Sequence, residues 1–143
     1  SYASVVNYTS KISGPLLDRM DIFVDVSPVK YEDLSDRSPS ESSAEIKIRV
    51  NKARKIQLAR FEGTPILSNS QIPPSMMNEF CHLDDSCNSL MENAFRSLGL
   101  TARSYDRILK VARTIADLDD LKHIKPNHLA EALQFRSRDF KKA

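Results

Sequence analysis

The chain has 143 residues, 41% of them hydrophobic and 28% charged, with a formal net charge of +2. This composition excludes a disordered chain, and the length fits one ordinary domain or a small domain that carries part of another. No stretch reaches the roughly 20 apolar residues of a membrane helix and no apolar signal segment opens the chain, so a cytoplasmic protein without a membrane partner is predicted. The first residue is Ser rather than Met, which suggests a processed or excised piece.

The first third of the sequence predicts one strand and a linker. Residues 21–26 (DIFVDV) are rich in β-branched and aromatic side chains and are followed by Ser27 and Pro28, a pattern typical of a strand. One strand cannot satisfy its own edges, so either the rest of its sheet is absent from this chain or the segment packs irregularly. Residues 35–43 are polar and Ser-rich, which indicates a linker or hinge.

The remaining residues predict four or five helices, bounded by local start and stop signals. The first is expected to begin after a Ser43 cap and run to Phe61, with Ile46, Val50 and Ala53 on its packed face. A short helix is predicted near 75–82. The later helices are predicted from an Asp84 or Asp85 cap to Leu98 with Gly99 closing it, from a Thr101 cap to Asp117, and from Pro126 through Phe140.

The first of these helices is strongly basic, and an acidic stretch follows it. Residues 45–60 carry six cations against one acid, whereas residues 61–95 contain no Lys or Arg. This asymmetry suggests an anionic partner such as nucleic acid, with Lys47, Lys52, Arg54 and Lys55 as candidate contacts, or contact between neighbouring subunits. The charge pattern favours the alternative, a solvated helix whose charges interact with the acidic stretch.

Two cysteines and a histidine lie close together as C-H-x4-C, at Cys81, His82 and Cys87. They could supply three metal ligands, but a structural zinc site uses four ligands with tighter cysteine pairs. We therefore predict reduced, partly buried thiols and no metal site.

The helix predicted over 101–117 is amphipathic. At about 100° per residue its apolar side chains share one stripe, whereas its cations are predicted to lie on the opposite side: Arg103, Arg107, Lys110 and Arg113. The last three are interleaved with Asp106 and Asp117, which favours a solvated ion-pair face. Arg103 lies in the first turn, where the helix dipole disfavours a cation. An arginine at a helix N-terminus suits a phosphate ligand; a solvent-exposed arginine is the alternative.

Three segments together resemble one family. Residues 13–22 read SGPLLDRMDI, residues 98–118 read LGLTARSYDRILKVARTIADL, and residues 128–136 read HLAEALQFR. They are similar to the SGPLLDRxDI, LGLSARAYDRILRVARTIADL and HLAEALQYR stretches of magnesium-chelatase-like AAA+ ATPases of the ComM/YifB type. Thr101 replaces the family's Ser and Ser104 replaces its Ala, and the first change keeps the capping hydroxyl.

The resemblance implies a role for two arginines. Arg19 occupies the position of the arginine finger, which reaches the γ-phosphate bound in a neighbouring subunit. Arg103 occupies the position of the sensor-2 arginine on the lid. In such a motor ATP and Mg²⁺ are the cofactors, the subunits form a hexameric ring, and DNA is a candidate partner through competence-related helicase or branch-migration work.

The resemblance also implies a mainly α fold, a helical-bundle lid preceded by one strand of the ATPase core. The implied domains are the end of the core with the finger over 1–30, a hinge over 31–43, and the lid over 44–143. No G-x4-G-K-[ST] loop occurs in the chain, so we expect no ATP hydrolysis and no bound cofactor from this piece alone. The alternative functions are a stand-alone helical nucleic-acid-binding module and a protein-interaction module.

Overall fold

The computed structural model describes residues 16, 19–24, 26–29 and 40–136. The predicted mainly helical, lid-like fold is confirmed, since the regular structure over residues 40–136 consists of helices. The α-helices are α1 (Ser43–Arg60), α2 (Met77–Phe80), α3 (Asp85–Leu98), α4 (Ala102–Leu118) and α5 (Pro126–Gln134), and two short 3₁₀ turns span Asn69–Gln71 and Pro74–Met76.

Helix α1 begins one residue earlier than predicted. Ser42, not Ser43, is its cap: the Glu45 N–H donates to the Ser42 Oγ over 3.3 Å, and the Ser42 N–H donates to the Glu45 carboxylate over 2.7 Å. This reciprocal capping box satisfies two backbone donors at once. The expected packed face is wrong in its first half, because Ile46 and Val50 are exposed. Packing begins only where Ala53 and Gln57 are buried.

The caps of α3 and α4 are confirmed. The Asp84 carboxylate accepts a hydrogen bond from the Cys87 N–H over 2.8 Å, and the Thr101 hydroxyl accepts one from the Ser104 N–H over 3.2 Å. Gly99 ends α3 in the left-handed region, with φ of 62°, which explains the glycine there. These local signals mark both ends of α3 and the start of α4.

The other two predicted helices differ from the structure in length. The segment near 75–82 is a 3₁₀ turn followed by the single-turn helix α2. Helix α5 starts at Pro126 as predicted but ends at Gln134, where Phe135 and Arg136 form a turn and the Arg136 N–H donates to the Leu133 carbonyl over 3.0 Å. The predicted end at Phe140 lies outside the described residues.

Helix α4 is the centre of the bundle. It packs against α1, α2 and α5, while α3 packs against α5. Its apolar stripe is buried as predicted, with Ile108, Ala112 and Ala116 fully inside the core. Phe61, just after α1, meets Phe80 of α2 edge-on with ring centroids 5.1 Å apart. Helix α4 contacts most of the bundle through its buried stripe. This packing fixes the orientation of the helix, including that of its first turn.

The strand predicted over 21–26 is not formed: the described residues of that segment, 21–24 and 26, carry no strand structure. A strand needs a neighbour to pair its backbone groups, and the described part of the chain offers no second strand. Val24 and Val26 are instead 67% and 88% exposed. The predicted linker lies mostly outside the described residues.

None of the described helices has both the length and the apolar character needed to cross a membrane.

Candidate functional site

The first turn of α4 presents Arg103 to solvent. Thr101 caps this turn, and Arg103, the second residue of the helix, is exposed. The Arg103 side chain makes no ion pair or hydrogen bond with the described residues. A cation in this position opposes the helix dipole at a cost of about 0.3–1 kcal/mol. None of the residues that the structure describes therefore holds the Arg103 guanidinium.

Arg103 lines a groove of about 540 Å³. The groove is bounded by one face of α4, by Glu131 and Phe135 at α5, and by Asp21 and Ile22 of the N-terminal segment. This volume lies within the range of small-molecule sites, which is about 300–1,000 Å³. The apolar part of the lining comes from α4, Phe135 and Ile22, so the groove combines apolar and charged side chains.

The groove carries three cations, and two of them have partners within the protein. Arg107 forms an ion pair with Asp21, and the Lys110 ammonium donates to the Ser70 carbonyl over 3.1 Å. The predicted pairing of Arg107 with its own helix is therefore wrong, because the N-terminal segment supplies a carboxylate instead. Arg103 is left as the lining cation that makes no ion pair with a described residue, although Asp106 and Glu131 line the same groove.

Arg113, predicted to lie on the solvated face of α4, is buried. It is 2% exposed, and its guanidinium donates to Asp117 over 3.2 Å and to the carbonyls of Lys122 and Leu121 over 2.7 and 2.6 Å. Burial lowers the pKa of Arg113, while the charge of Asp117 opposes this effect. The i,i+4 pairing was visible in the sequence, but its burial was not.

Asp117 is the centre of a buried polar cluster that joins α1 to α4. Arg60 at the end of α1 forms an ion pair with Asp117, and the Asn69 amide donates to the same carboxylate over 2.8 Å. Both Asn69 and Asp117 are at most 1% exposed. This cluster fixes the relative position of two helices.

Arg19 is exposed as well. Its backbone N–H donates to the Leu16 carbonyl over 3.1 Å, and its side chain makes no ion pair with the described residues. Arg19 is not among the residues that line the groove. The two arginines singled out from the sequence are thus both accessible, and neither is walled into the core.

The residues after Arg19 dock on the helices. Arg136, which sequence reasoning did not single out, donates to the Met20 carbonyl and to the Ser104 hydroxyl, the latter over 3.0 Å. Its guanidinium also lies 5.5 Å from the ring centroid of Phe23. The only sequence signal for Arg136 was its place at the end of the HLAEALQFR segment.

All cations of α1 except Arg60 are exposed, including the candidate nucleic-acid contacts Lys47, Lys52, Arg54 and Lys55. Lys52 pairs with Asp120 over 2.9 Å, with both side chains 57% exposed. Asp120 does not belong to the acidic stretch 61–95. Such exposed pairs contribute little to stability.

Cys81 and Cys87 are buried and His82 is exposed. Burial raises the pKa of both thiols to about 11, so they are protonated at neutral pH. The described residues contain no group of three or more His, Cys, Asp or Glu side chains that could hold a metal ion.

Comparison with known proteins places these features in a family. Residues 40–136 match the model of magnesium chelatase, subunit ChlI C-terminal, and residues 1–34 match that of magnesium chelatase, subunit ChlI. Among curated relatives, the competence protein ComM of Haemophilus influenzae is 37% identical over 93% of this chain and 26% of its own length. The uncharacterized protein YifB of Escherichia coli is 35% identical over 94% of this chain and 26% of its own.

An uncharacterized protein of Mycobacterium bovis is more distant, at 28% identity over 90% of this chain and 25% of its own length. The chain therefore spans about a quarter of the length of the curated relatives it matches. Since the C-terminal model alone covers more than half of its residues, the chain belongs to the magnesium chelatase subunit ChlI family.

Proposed function

We propose that this chain is the C-terminal lid portion of an ATP-dependent AAA+ motor, here called the parent protein. In the proposed division, residues 1–30 end the ATPase core, 31–43 form a hinge and 44–143 form the lid. The observation that carries the proposal is Arg103 in the first turn of α4, which is exposed and makes no ion pair with a described residue, at the wall of a groove of small-molecule size. Its role is to contact an ATP phosphate as the sensor-2 arginine.

The residues present fit a nucleotide phosphate. A guanidinium stays ionised and donates paired hydrogen bonds to phosphate oxygens. The N-terminus of a helix adds backbone donors and a favourable dipole for an anion, so an anionic ligand would offset the cost of Arg103 in the first turn. ATP and Mg²⁺ are the proposed cofactors of the parent protein, and ATP supplies the phosphoryl group that is transferred to water.

Arg19 is the proposed arginine finger, acting on the nucleotide of a neighbouring subunit. Its exposure and its lack of an ion partner among the described residues support this role. Charge spreads over the phosphoryl oxygens in the transition state, and an arginine that stabilises it contributes about 10³–10⁵ in rate. A finger acting between subunits requires a ring, and we propose a hexamer.

The exposed apolar side chains beside Arg19 agree with this assignment. Three valines are each at least 66% exposed: Val24, Val26 and Val29. A complete domain rarely leaves so many neighbouring apolar side chains in contact with solvent. Pairing of this segment with further strands of the parent's core would cover these side chains. DNA is the proposed substrate, and the name of the Haemophilus influenzae relative, a competence protein, supports it.

The test is Arg103→Ala in the parent protein, with Arg96→Ala as a control on α3, where Arg96 forms an exposed pair with Glu92. We expect Arg103→Ala to lose at least about tenfold in ATP turnover, with weaker nucleotide binding, since one charge-assisted contact contributes about 1.5–3 kcal/mol. Arg96→Ala should match the wild type. Normal ATP binding and turnover in Arg103→Ala would remove the sensor role.

A second candidate, nucleic-acid binding by α1, has one observation in its favour. Residues 43–52 are exposed throughout and carry Lys47 and Lys52 in a helix whose net charge is strongly positive. If α1 binds DNA phosphates, affinity should fall steeply with salt, and replacing Lys47 and Lys55 by Glu should reduce the slope. If DNA affinity changes neither with salt nor with the replacement of Lys47 and Lys55, α1 is not the DNA contact.

A further inference from the structure

We infer that Arg136 and Arg107 are positioning residues that couple Arg19 to Arg103. This rests on the proposed function, because it names the residues that hold the arginine finger in relation to the sensor arginine. Neither Arg136 nor Arg107 lies in the motif positions of finger or sensor. Their assignment comes from contacts in the structure.

Arg136 bridges the two residues that follow the proposed catalytic arginines. Its guanidinium donates to the carbonyl of Met20, the residue after Arg19, and to the hydroxyl of Ser104, the residue after Arg103. A planar guanidinium can serve two acceptors at its edge while its face rests on an aromatic ring. The ring is that of Phe23, whose centroid lies 5.5 Å from the guanidinium carbon.

Two further contacts hold the same segment. Arg107, one helical turn after Arg103, pairs with Asp21, and the Phe23 N–H donates to the Phe135 carbonyl over 3.0 Å. The side chains of Arg107 and Asp21 are 27% and 53% exposed, so their ion pair orients the N-terminal segment more than it stabilises the fold. Residues 20–23 are therefore attached directly to α4 through Arg107 and to the two residues after α5 through Arg136 and Phe135, and Arg136 in turn contacts α4 at Ser104.

This attachment has a mechanical consequence. Because Arg136 joins the neighbour of Arg19 to the neighbour of Arg103, a displacement of the first turn of α4 carries the N-terminal segment with it. A phosphate contact at Arg103 thus changes where Arg19 points.

The experiment uses the parent protein with Arg136→Ala, Arg107→Asp, Asp21→Arg and the double swap of the last two. We expect Arg136→Ala and Arg107→Asp to raise hydrogen exchange in peptides covering residues 19–24. Both should lower kcat for ATP hydrolysis about fivefold or more while KM changes less than about twofold. The swap of Arg107 and Asp21 should recover most of the lost kcat, because it restores the pair with reversed charges.

The matched control is the exposed pair of Arg96 and Glu92 on α3: Arg96→Asp should change neither readout. Arg136→Ala also removes the hydrogen bond to Ser104 and can therefore lower stability as well. The melting temperature of Arg136→Ala is compared with that of Arg107→Asp, because Arg107→Asp keeps the hydrogen bond between Arg136 and Ser104. A kcat loss in both variants, with the second folded normally, supports positioning.

Three results overturn the inference. Unchanged hydrogen exchange and unchanged kcat in both Arg136→Ala and Arg107→Asp would show that these contacts do not position residues needed for ATP turnover. A rise in KM that the charge swap does not correct would show that Arg107, which lines the groove, contacts nucleotide itself. Normal turnover in Arg19→Ala would overturn the proposed function, whereas normal turnover in Arg136→Ala beside an inactive Arg19→Ala would overturn this inference alone.

Discussion

Arginines in this chain differ by what surrounds them. Arg113 is enclosed and fully used by protein acceptors, whereas Arg103 is exposed in the first turn of the same helix and makes no ion pair with the described residues. Sequence spacing placed both on the side of the helix opposite its apolar stripe. The difference arises at the end of α4, where Asp117 and two carbonyls of the following loop accept hydrogen bonds from Arg113. The periodicity of a 17-residue helix does not encode contacts with residues beyond its end.

Replacing Asp117 by Ala tests the buried cluster. Asp117 is 0% exposed and accepts from Arg60, Asn69 and Arg113. Its loss leaves the buried Arg113 charge without its carboxylate, so we expect the free energy of unfolding to fall by about 3–5 kcal/mol. Urea denaturation measures this.

The control for that measurement is Glu92→Ala, which breaks the exposed pair with Arg96 and should cost at most about 1 kcal/mol. Equal losses from Asp117→Ala and Glu92→Ala would contradict the structural role of the cluster.

At the scale of elements, caps predicted more than periodicity did. Asp84, Gly99, Thr101 and Pro126 each mark a helix end within one residue, because capping is a local interaction between a side chain and nearby backbone. Periodicity identified the buried stripe of α4 but placed Ile46 and Val50 of α1 in a core that they do not reach. The strand over 21–26 failed for a related reason, since pairing depends on partners far away in sequence.

The Thr101 cap gives a prediction at this scale. Thr101→Ala removes the acceptor of the Ser104 N–H and should destabilise the protein by about 1 kcal/mol. Thr101→Ser keeps the hydroxyl and should stay within a few tenths of the wild type. Chemical denaturation of both variants, with hydrogen exchange at the first turn of α4, makes the comparison. Equal stability of the two variants would show that the hydroxyl does not cap the helix.

For the whole molecule, the resemblance and the structure contribute different things. The three motifs predicted the family, which the comparisons confirm, and singled out Arg19 and Arg103. They did not predict that the residues after Arg19 dock on α4 and α5 through Arg107 and Arg136. That docking depends on contacts between residues more than 80 positions apart, which spacing along the chain does not encode.

The most direct test of the two-arginine account is ATP turnover in mixed rings of the parent protein. One subunit carries Arg19→Ala, and the other lacks the lysine of the proposed phosphate-binding loop outside this chain. Each variant alone should be inactive, because every site lacks either the finger or the loop. If Arg19 acts between subunits, mixing creates interfaces that combine an intact loop with an intact Arg19, about a quarter of them for random assembly, and turnover reappears. Mixed rings as inactive as either variant alone, or full activity of Arg19→Ala by itself, would contradict the account.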